Sequence, residues 1–543
     1  MIANLYWITL FVLLPVTVLL MSRSLLAKAA QSFLAKAKRH TSDTPPPSPT
    51  ESVTGEDDNE RIKDKEARAF QIKFLKVYLF AMAADWLQGP YTYPLLKTEF
   101  EFPEKTVASL YMTTFIAAAI SSLLVGFLAD KFGRRNACLA FCLIHSLSAL
   151  SVLSKDLKVL YAGQALGGIG LAMLWTVFES WMVTEWNTRK LGDERLGTMF
   201  GTMTRANCSA AVLGGLIGDL AVEVSGTRKG PFVVGVAIEA IAAAMLICCW
   251  NENYGQPKDS KEKRMTPKET LRQLGDIKIW ALSFISCCWE GTNFLVLFFW
   301  PGILQDAHRR IHGPDAEDVP YGPIFAAFML AMILGALLFS AIMKRKKSRL
   351  ALPVDPSQSP SKTSWLKKAF TNPHNLMGIV IFIGGGCLLQ SAYVPIEVLA
   401  FFGYLLFEFC NGIYVPCVAY HRGIVVNEGN RAGLYGLMKL PHFLFVIIAL
   451  ATAVEDPRHR QTVFLACFST LVAASLASII GLRGSAPEGK KPENDLEQLM
   501  EMSDGDSFRE KMLTPHTLAS ASTPTLSTTR PTTAHEIIMD KKS

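Results

Sequence analysis

Residues 126–135 read GFLADKFGRR, and this decapeptide decides the architecture because it joins two apolar stretches that are each long enough to cross a bilayer. Gly126 lets a neighbouring helix come close, Asp130 can pair with a base or with the positive end of a helix dipole, and Gly133 permits a tight turn. Lys131, Arg134 and Arg135 hold the connection on one side, since basic loops stay cytoplasmic. Working outward, a hydrocarbon core about 30 Å thick requires roughly 20 apolar residues per helix. The chain offers twelve such runs, at 74–96, 106–129, 136–153, 159–183, 198–222, 231–250, 278–304, 321–343, 376–394, 396–420, 432–454 and 462–482. With residue 73 inside, the five inside connections hold 22 Lys plus Arg and the six outside ones 10, which fixes the orientation.

The composition agrees. Of 543 residues half are hydrophobic and 19% are charged, where a soluble domain carries about 25%. A net charge of +7 spread through loops, without an aromatic-interleaved basic patch, excludes nucleic acid as a partner. All 11 cysteines fall inside apolar runs, leaving no loop pair for a disulfide and no spaced Cys/His set for zinc, so neither a metal nor a cofactor is expected. GQALGGIG at 163–170 lies inside a span and fits no dinucleotide fingerprint. No nucleophile and base set lies at a loop or membrane border, which argues against an enzyme.

The expected class is an all-α membrane protein of two six-helix bundles with an extra N-terminal anchor helix. Residues 1–21 form the anchor, its basic flank following it, so the N-terminus lies outside. Residues 22–73 form a cytoplasmic linker, disordered over Thr41 to Glu66, where PPPSP and the acidic GEDDNE cannot support a core. The bundles occupy 74–250 and 278–482, joined by a polar cytoplasmic stretch at 251–277, and 483–543 is a disordered, Ser/Thr-rich cytoplasmic tail.

A charge at the centre of a spanning helix costs about 2.5–3.5 kcal/mol on insertion scales, so it persists only beside a partner or a water-filled cavity. Here such charges recur in order. Asp85, Glu179 and Arg205 lie in spans one, four and five of the first set, and Glu290, Glu408 and Lys439 in the same spans of the second. Phe precedes the acid in both fourth spans and Trp neighbours it in both first spans. Folds of two such halves place the substrate at their interface near midplane. The repeat therefore predicts an aqueous cavity with Arg205 and Lys439 facing one another. Each base can instead pair with its own half's acid; both readings stand at this point. Gln164, Asn293, Asn411 and Tyr414 are candidate neutral ligands. His145 and His442 read more simply as packed side chains than as proton carriers, and Glu239, without a counterpart in the repeat, falls outside the site.

The decapeptide matches the signature G-x-x-x-D-[RK]-x-G-R-[RK] of the major facilitator superfamily at every specified position. The resemblance implies that Gly126, Asp130, Gly133, Arg134 and Arg135 form a gating loop, Asp130 and Arg134 latching the outward-facing state. The strings AADWLQGPY (83–91), GRRN (133–136), QALGG (164–168), FESW (178–181), NENYG (251–255), FFWPGIL (298–304), FEFCNGIYVP (407–416) and RAGLYGLMKLPH (431–442) resemble the molybdate-anion transporters of that superfamily. This implies uptake of the tetrahedral molybdate oxyanion by alternating access across the plasma membrane. The sequence departs from the family pattern at Gln164 and Lys439, where arginine is expected, and an ammonium lacks the planar fork of a guanidinium.

Arg205 and Lys439 can bind an oxyanion through charge-assisted hydrogen bonds. Four acids against two bases repel it unless some acids are neutralised, which suggests a proton carried with the substrate on Asp85, Glu179, Glu290 or Glu408. The same excess suits a transporter of another oxyanion, a cation or a small solute. A membrane receptor or scaffold, the remaining alternative, would tolerate neutralised Arg205 and Lys439. Membrane lipid surrounds the chain in every case.

Overall fold

The computed structural model describes residues 5–22, 54–191, 193–254, 276–350, 372–394, 396–425, 431–452 and 457–482, and the expected tail lies outside them. Every regular element among these residues is helical: α1 (Leu5–Ser22), α2 (Thr54–Pro94), α3 (Glu104–Phe132), α4 (Arg134–Ser151), α5 (Leu157–Leu174), α6 (Val177–Thr188), α7 (Asp193–Ser225) and α8 (Gly230–Cys249), then α9 (Ile277–His312), α10 (Tyr321–Leu350), α11 (Pro373–Tyr393), α12 (Glu397–Val425), α13 (Arg431–Ala451) and α14 (Pro457–Gly481). Among the described residues ten segments, α5 and α6 counting as one, are long and apolar enough to cross a membrane.

Two boundaries differ from the sequence expectation. Thr54 to Glu66, expected as disordered linker, forms the first turns of α2, because the stretch from Glu60 to Ala69 is rich in Glu, Lys, Arg and Ala, the strongest helix formers. Span ten continues past residue 420 to Val425. Span four is broken at Trp175 and Thr176, which places Glu179 in the first turn of α6, where the helix dipole favours an acid.

Helices α2–α8 pack on one another, as do α9–α14, and the two sets meet where α7 lies on α10 and α3 on α13. The first set is organised by aromatics: the rings of Trp181 and Trp250 stack 3.7 Å apart, Phe74 stacks 5.4 Å from Trp250, and Phe141 meets Phe178 edge to face at 5.4 Å. In the second set Trp289 stacks between Phe407 and Tyr414, each 5.0 Å away. Helix α1 docks on the second set, with Tyr6 fully buried and 4.8 Å from Phe401.

Candidate functional site

The loop of residues 126–135 is held by a carboxylate that follows span six, Glu252. Arg134 donates to Asp130 at 2.7 and 2.9 Å, and also to the carbonyl of Ser180 at 3.2 Å. Glu252 accepts from the backbone N–H groups of Arg135 (2.8 Å) and Asn136 (3.1 Å). Its charge thus sits on the N-terminus of α4, satisfying amides that the helix leaves unpaired. Gly133 is required by this contact: its φ is +101°, and a Cβ there would lie 2.5 Å from the Glu252 carboxyl carbon. Asn253 and Trp181 lock the same corner, Asn253 Nδ2 donating to the Trp181 carbonyl (3.1 Å) and the indole N–H to the carbonyl of Asn251 (2.9 Å). Gly126 corrects the sequence reading, because a Cβ there meets nothing within 4 Å and no neighbouring helix uses the space. Glu252→Ala is expected to cost about 0.5–2 kcal/mol, the range for a lost helix cap, and Gly133→Ala to be strained by both φ and the clash. Thermal unfolding of the purified protein measures both, and Glu252→Gln, which keeps an acceptor, should lie closer to wild type.

Among the intramembrane acids, Asp85 on α2 lies 3.5 Å from His145 Nε2 on α4, whose Nδ1 is 2.7 Å from Glu239 on α8. Ser146 donates to the second Glu239 oxygen at 2.8 Å, and Glu239 is fully buried. The sequence reading leaves both His145 and Glu239 outside the site. In the second half, Arg422 Nη2 donates to Glu290 at 2.5 Å and to Ser286 Oγ at 2.8 Å. Glu408 is buried and accepts from Asn411 Nδ2 at 3.1 Å, while Asn411 Oδ1 accepts the Trp289 indole N–H at 3.0 Å. A related bond joins Trp86 Nε1 to Asn207 Oδ1 at 2.8 Å in the first half. The echo is partial: the tryptophan follows the acid at 85 but precedes it at 290, and its partner sits on α7 in one half and α12 in the other.

Arg205 is half-buried on α7 and donates to Thr202 Oγ1 at 3.1 Å. Cys208, one turn further, is within electrostatic range of Glu408 from the opposite half, and Tyr78 of Asp85, Glu179 and Cys208. Glu179 is exposed although its neighbours Phe178 and Trp181 are buried. Gln164 accepts from Thr114 Oγ1 at 2.6 Å, Asn293 is half-buried on α9, and Tyr414 is buried on the Trp289 stack. Lys439 belongs to α13, and its side chain lies outside what the structure describes.

From mid-helix toward the end carrying residues 226–230 and 313–320, the two sets touch. Phe115 lies 5.0 Å from Phe294, and Tyr93 5.2 Å and Tyr111 5.0 Å from Phe298. At the rim Arg228 pairs with Asp318, and Arg460 reaches Glu104 at 3.4 Å, whose oxygens also accept from Tyr93 at 2.8 and 2.9 Å. Toward the opposite end, Trp175 and Glu179 are exposed.

A family profile described as sugar transporters with 12 transmembrane segments, MFS_5, matches residues 52–351, more than half of the chain. A molybdate-anion transporter of Xenopus tropicalis is 28% identical over 425 residues, covering 76% of this chain and 85% of the relative. One of Takifugu rubripes is 26% identical over 470 residues, covering 78% and 92%. Among solved structures, the nucleoside transporter NupG aligns with a TM-score of 0.53 at 13% identity, covering 76% of this chain and 99% of that one. An inward-facing, unoccupied bacterial homologue of the human lysosomal transporter Spinster aligns with a TM-score of 0.52 at 14% identity, covering 81% and 97%. The two helical sets, the loop signature at 126–135 and these similarities agree: the chain belongs to the MFS_5 family of the major facilitator superfamily, and is a multi-pass membrane transporter.

Proposed function

We propose that the protein takes up molybdate across the plasma membrane by alternating access, with its N-terminus outside and its C-terminus in the cytoplasm. The observation that carries this is the similarity to molybdate-anion transporters over 85–92% of their length. Residues 74–250 and 278–482 are the two moving bundles, joined by 251–277. Arg205 and Lys439 supply the positive potential for a doubly charged oxyanion, and Gln164, Asn293, Asn411 and Tyr414 the neutral contacts. The seal at the Arg228–Asp318 end, with Glu179 exposed toward the other, corresponds to an inward-open state. The latch of Asp130 and Arg134 with Arg135, Gly133 and Gly126 acts when the opposite state forms. A proton travelling with the substrate is carried by one or more of Asp85, Glu179, Glu290 and Glu408, of which Glu408 is buried, where the neutral acid is favoured.

Labelled molybdate uptake in cells expressing the chain, competed with tungstate, sulfate and phosphate, tests the reading. Tungstate, of the same shape and charge, should compete best. Arg205→Gln should raise KM about tenfold or more, the equivalent of one hydrogen bond to a charged group at about 1.5–3 kcal/mol. Unchanged uptake in Arg205→Gln and Lys439→Gln would remove both from the site, and uptake indifferent to an imposed pH gradient would remove the proton.

A further inference from the structure

We propose that His308, His312 and Glu397 form a binding site for a divalent transition metal, Zn2+ by ligand type, at the rim where α1, α9 and α12 meet. The inference is independent of the transported substrate. Its ligands escape a search for spaced motifs because they come from two helix ends far apart in sequence.

His308 and His312 are four residues apart in the last turns of α9 and share one helix face, with rings 4.5 Å apart. Glu397 opens α12 and is fully buried. One of its oxygens accepts from Tyr6 Oη at 2.5 Å and faces His308 Nδ1 at 2.9 Å. The other, Oε2, is buried without any hydrogen-bond partner. An unsatisfied carboxylate oxygen shielded from water is costly, and a bound cation removes that cost. One potential ligand atom from each of the three residues lies within 4.8 Å of the others. Zinc holds nitrogen and oxygen ligands at about 2.0–2.2 Å, so closing the set needs roughly 1–2 Å of movement. His312 is exposed and free to supply it.

The surroundings suit a cation. The site lies at the C-terminal end of α9, where the helix carbonyls leave negative potential, just before Gly313 (φ +99°) ends the helix. Of the neighbouring bases, Arg309 is engaged 3.5 Å from Asp318, and Arg310 is exposed. Two imidazoles and one carboxylate select zinc, copper or nickel over magnesium and calcium, which take oxygen ligands. Tyr6 steadies the carboxylate from behind, as outer-shell partners do. The metal would therefore also fasten the N-terminal helix to the second half.

The test is calorimetric titration of metal-stripped, detergent-purified full-length protein with Zn2+, repeated with Co2+ to read coordination from its visible absorption. The expected result is one equivalent in wild type with a tetrahedral Co2+ spectrum. Removing the exposed ligand in His312→Ala, which disturbs no packing, should weaken binding more than about tenfold, because even outer-shell partners are worth about 10–100-fold. Tyr6→Phe should fall between the two. Absence of binding in wild type, or equal binding in wild type, His308→Ala and His312→Ala, as cysteine ligation would give, overturns the proposal.

Discussion

Replacing Glu239 by alanine is expected to cost about 3–5 kcal/mol of stability, the range for removing one partner of a buried ion pair, and with it most of the transport. Glu239 is fully buried on α8 and accepts from His145 at 2.7 Å and Ser146 at 2.8 Å. His145 is itself nearly buried, stacked on Phe141 at 5.2 Å, with its other nitrogen 3.5 Å from Asp85. An imidazole between two carboxylates donates to both only in its protonated form, so the three side chains act as one ionic unit tying α2, α4 and α8. Without Glu239, a donor nitrogen and a hydroxyl lose their acceptor in a medium of low dielectric, where an unpaired group is most costly. Glu239→Gln keeps the volume and an acceptor, and should lose only about 1–3 kcal/mol. Thermal unfolding of the detergent-purified variants ranks them. A Glu239→Ala protein that melts with wild type would show that the unit does not hold these helices.

The same network shows what is legible in the sequence. Spans, halves and the 126–135 loop are readable because each is written locally, as twenty apolar residues or a ten-residue signature. Partners are not. The repeat criterion selects Asp85 and Glu290 but discards Glu239, which has no counterpart, and takes His145 for a packed residue. Hydropathy ends span ten at residue 420 and so leaves Arg422 in a loop, whereas α12 runs to Val425 and carries its guanidinium to Glu290 at 2.5 Å. Glu252 has no role within its local string, since capping α4 from the far end of α8 is a tertiary fact. These omissions explain the apparent excess of acid. Two of the four repeat acids, Asp85 and Glu290, face a base that the sequence pattern does not count.

Gly322→Val is expected to abolish uptake while leaving the protein folded and inserted. Gly322 lies in the first turn of α10 against α7, and a Cβ there would fall 2.3 Å from the Gly215 carbonyl oxygen, 2.6 Å from Tyr91 Oη and 2.8 Å from Asp219 Cβ. The contact is reciprocal, because a Cβ on Gly215 would sit 2.8 Å from the Gly322 carbonyl. A flexible side chain could turn away, but a backbone carbonyl moves only with its helix, so the two halves must separate at this end. The separation would also draw Arg228 from Asp318 and open the polar cleft of about 280 Å³ that they line with Tyr91, Asp219 and Val222. The proposed alternating access needs this end to close once per cycle, and valine removes that state without touching the proposed ligands. A cysteine at Val222, labelled from outside by a membrane-impermeant thiol reagent, should react faster in Gly322→Val than in the wild-type background. Gly386→Val is the control, since a Cβ at Gly386 meets nothing within 4 Å, and it should transport and label normally. Wild-type uptake and labelling in Gly322→Val would mean that the close approach of α7 and α10 is not the seal.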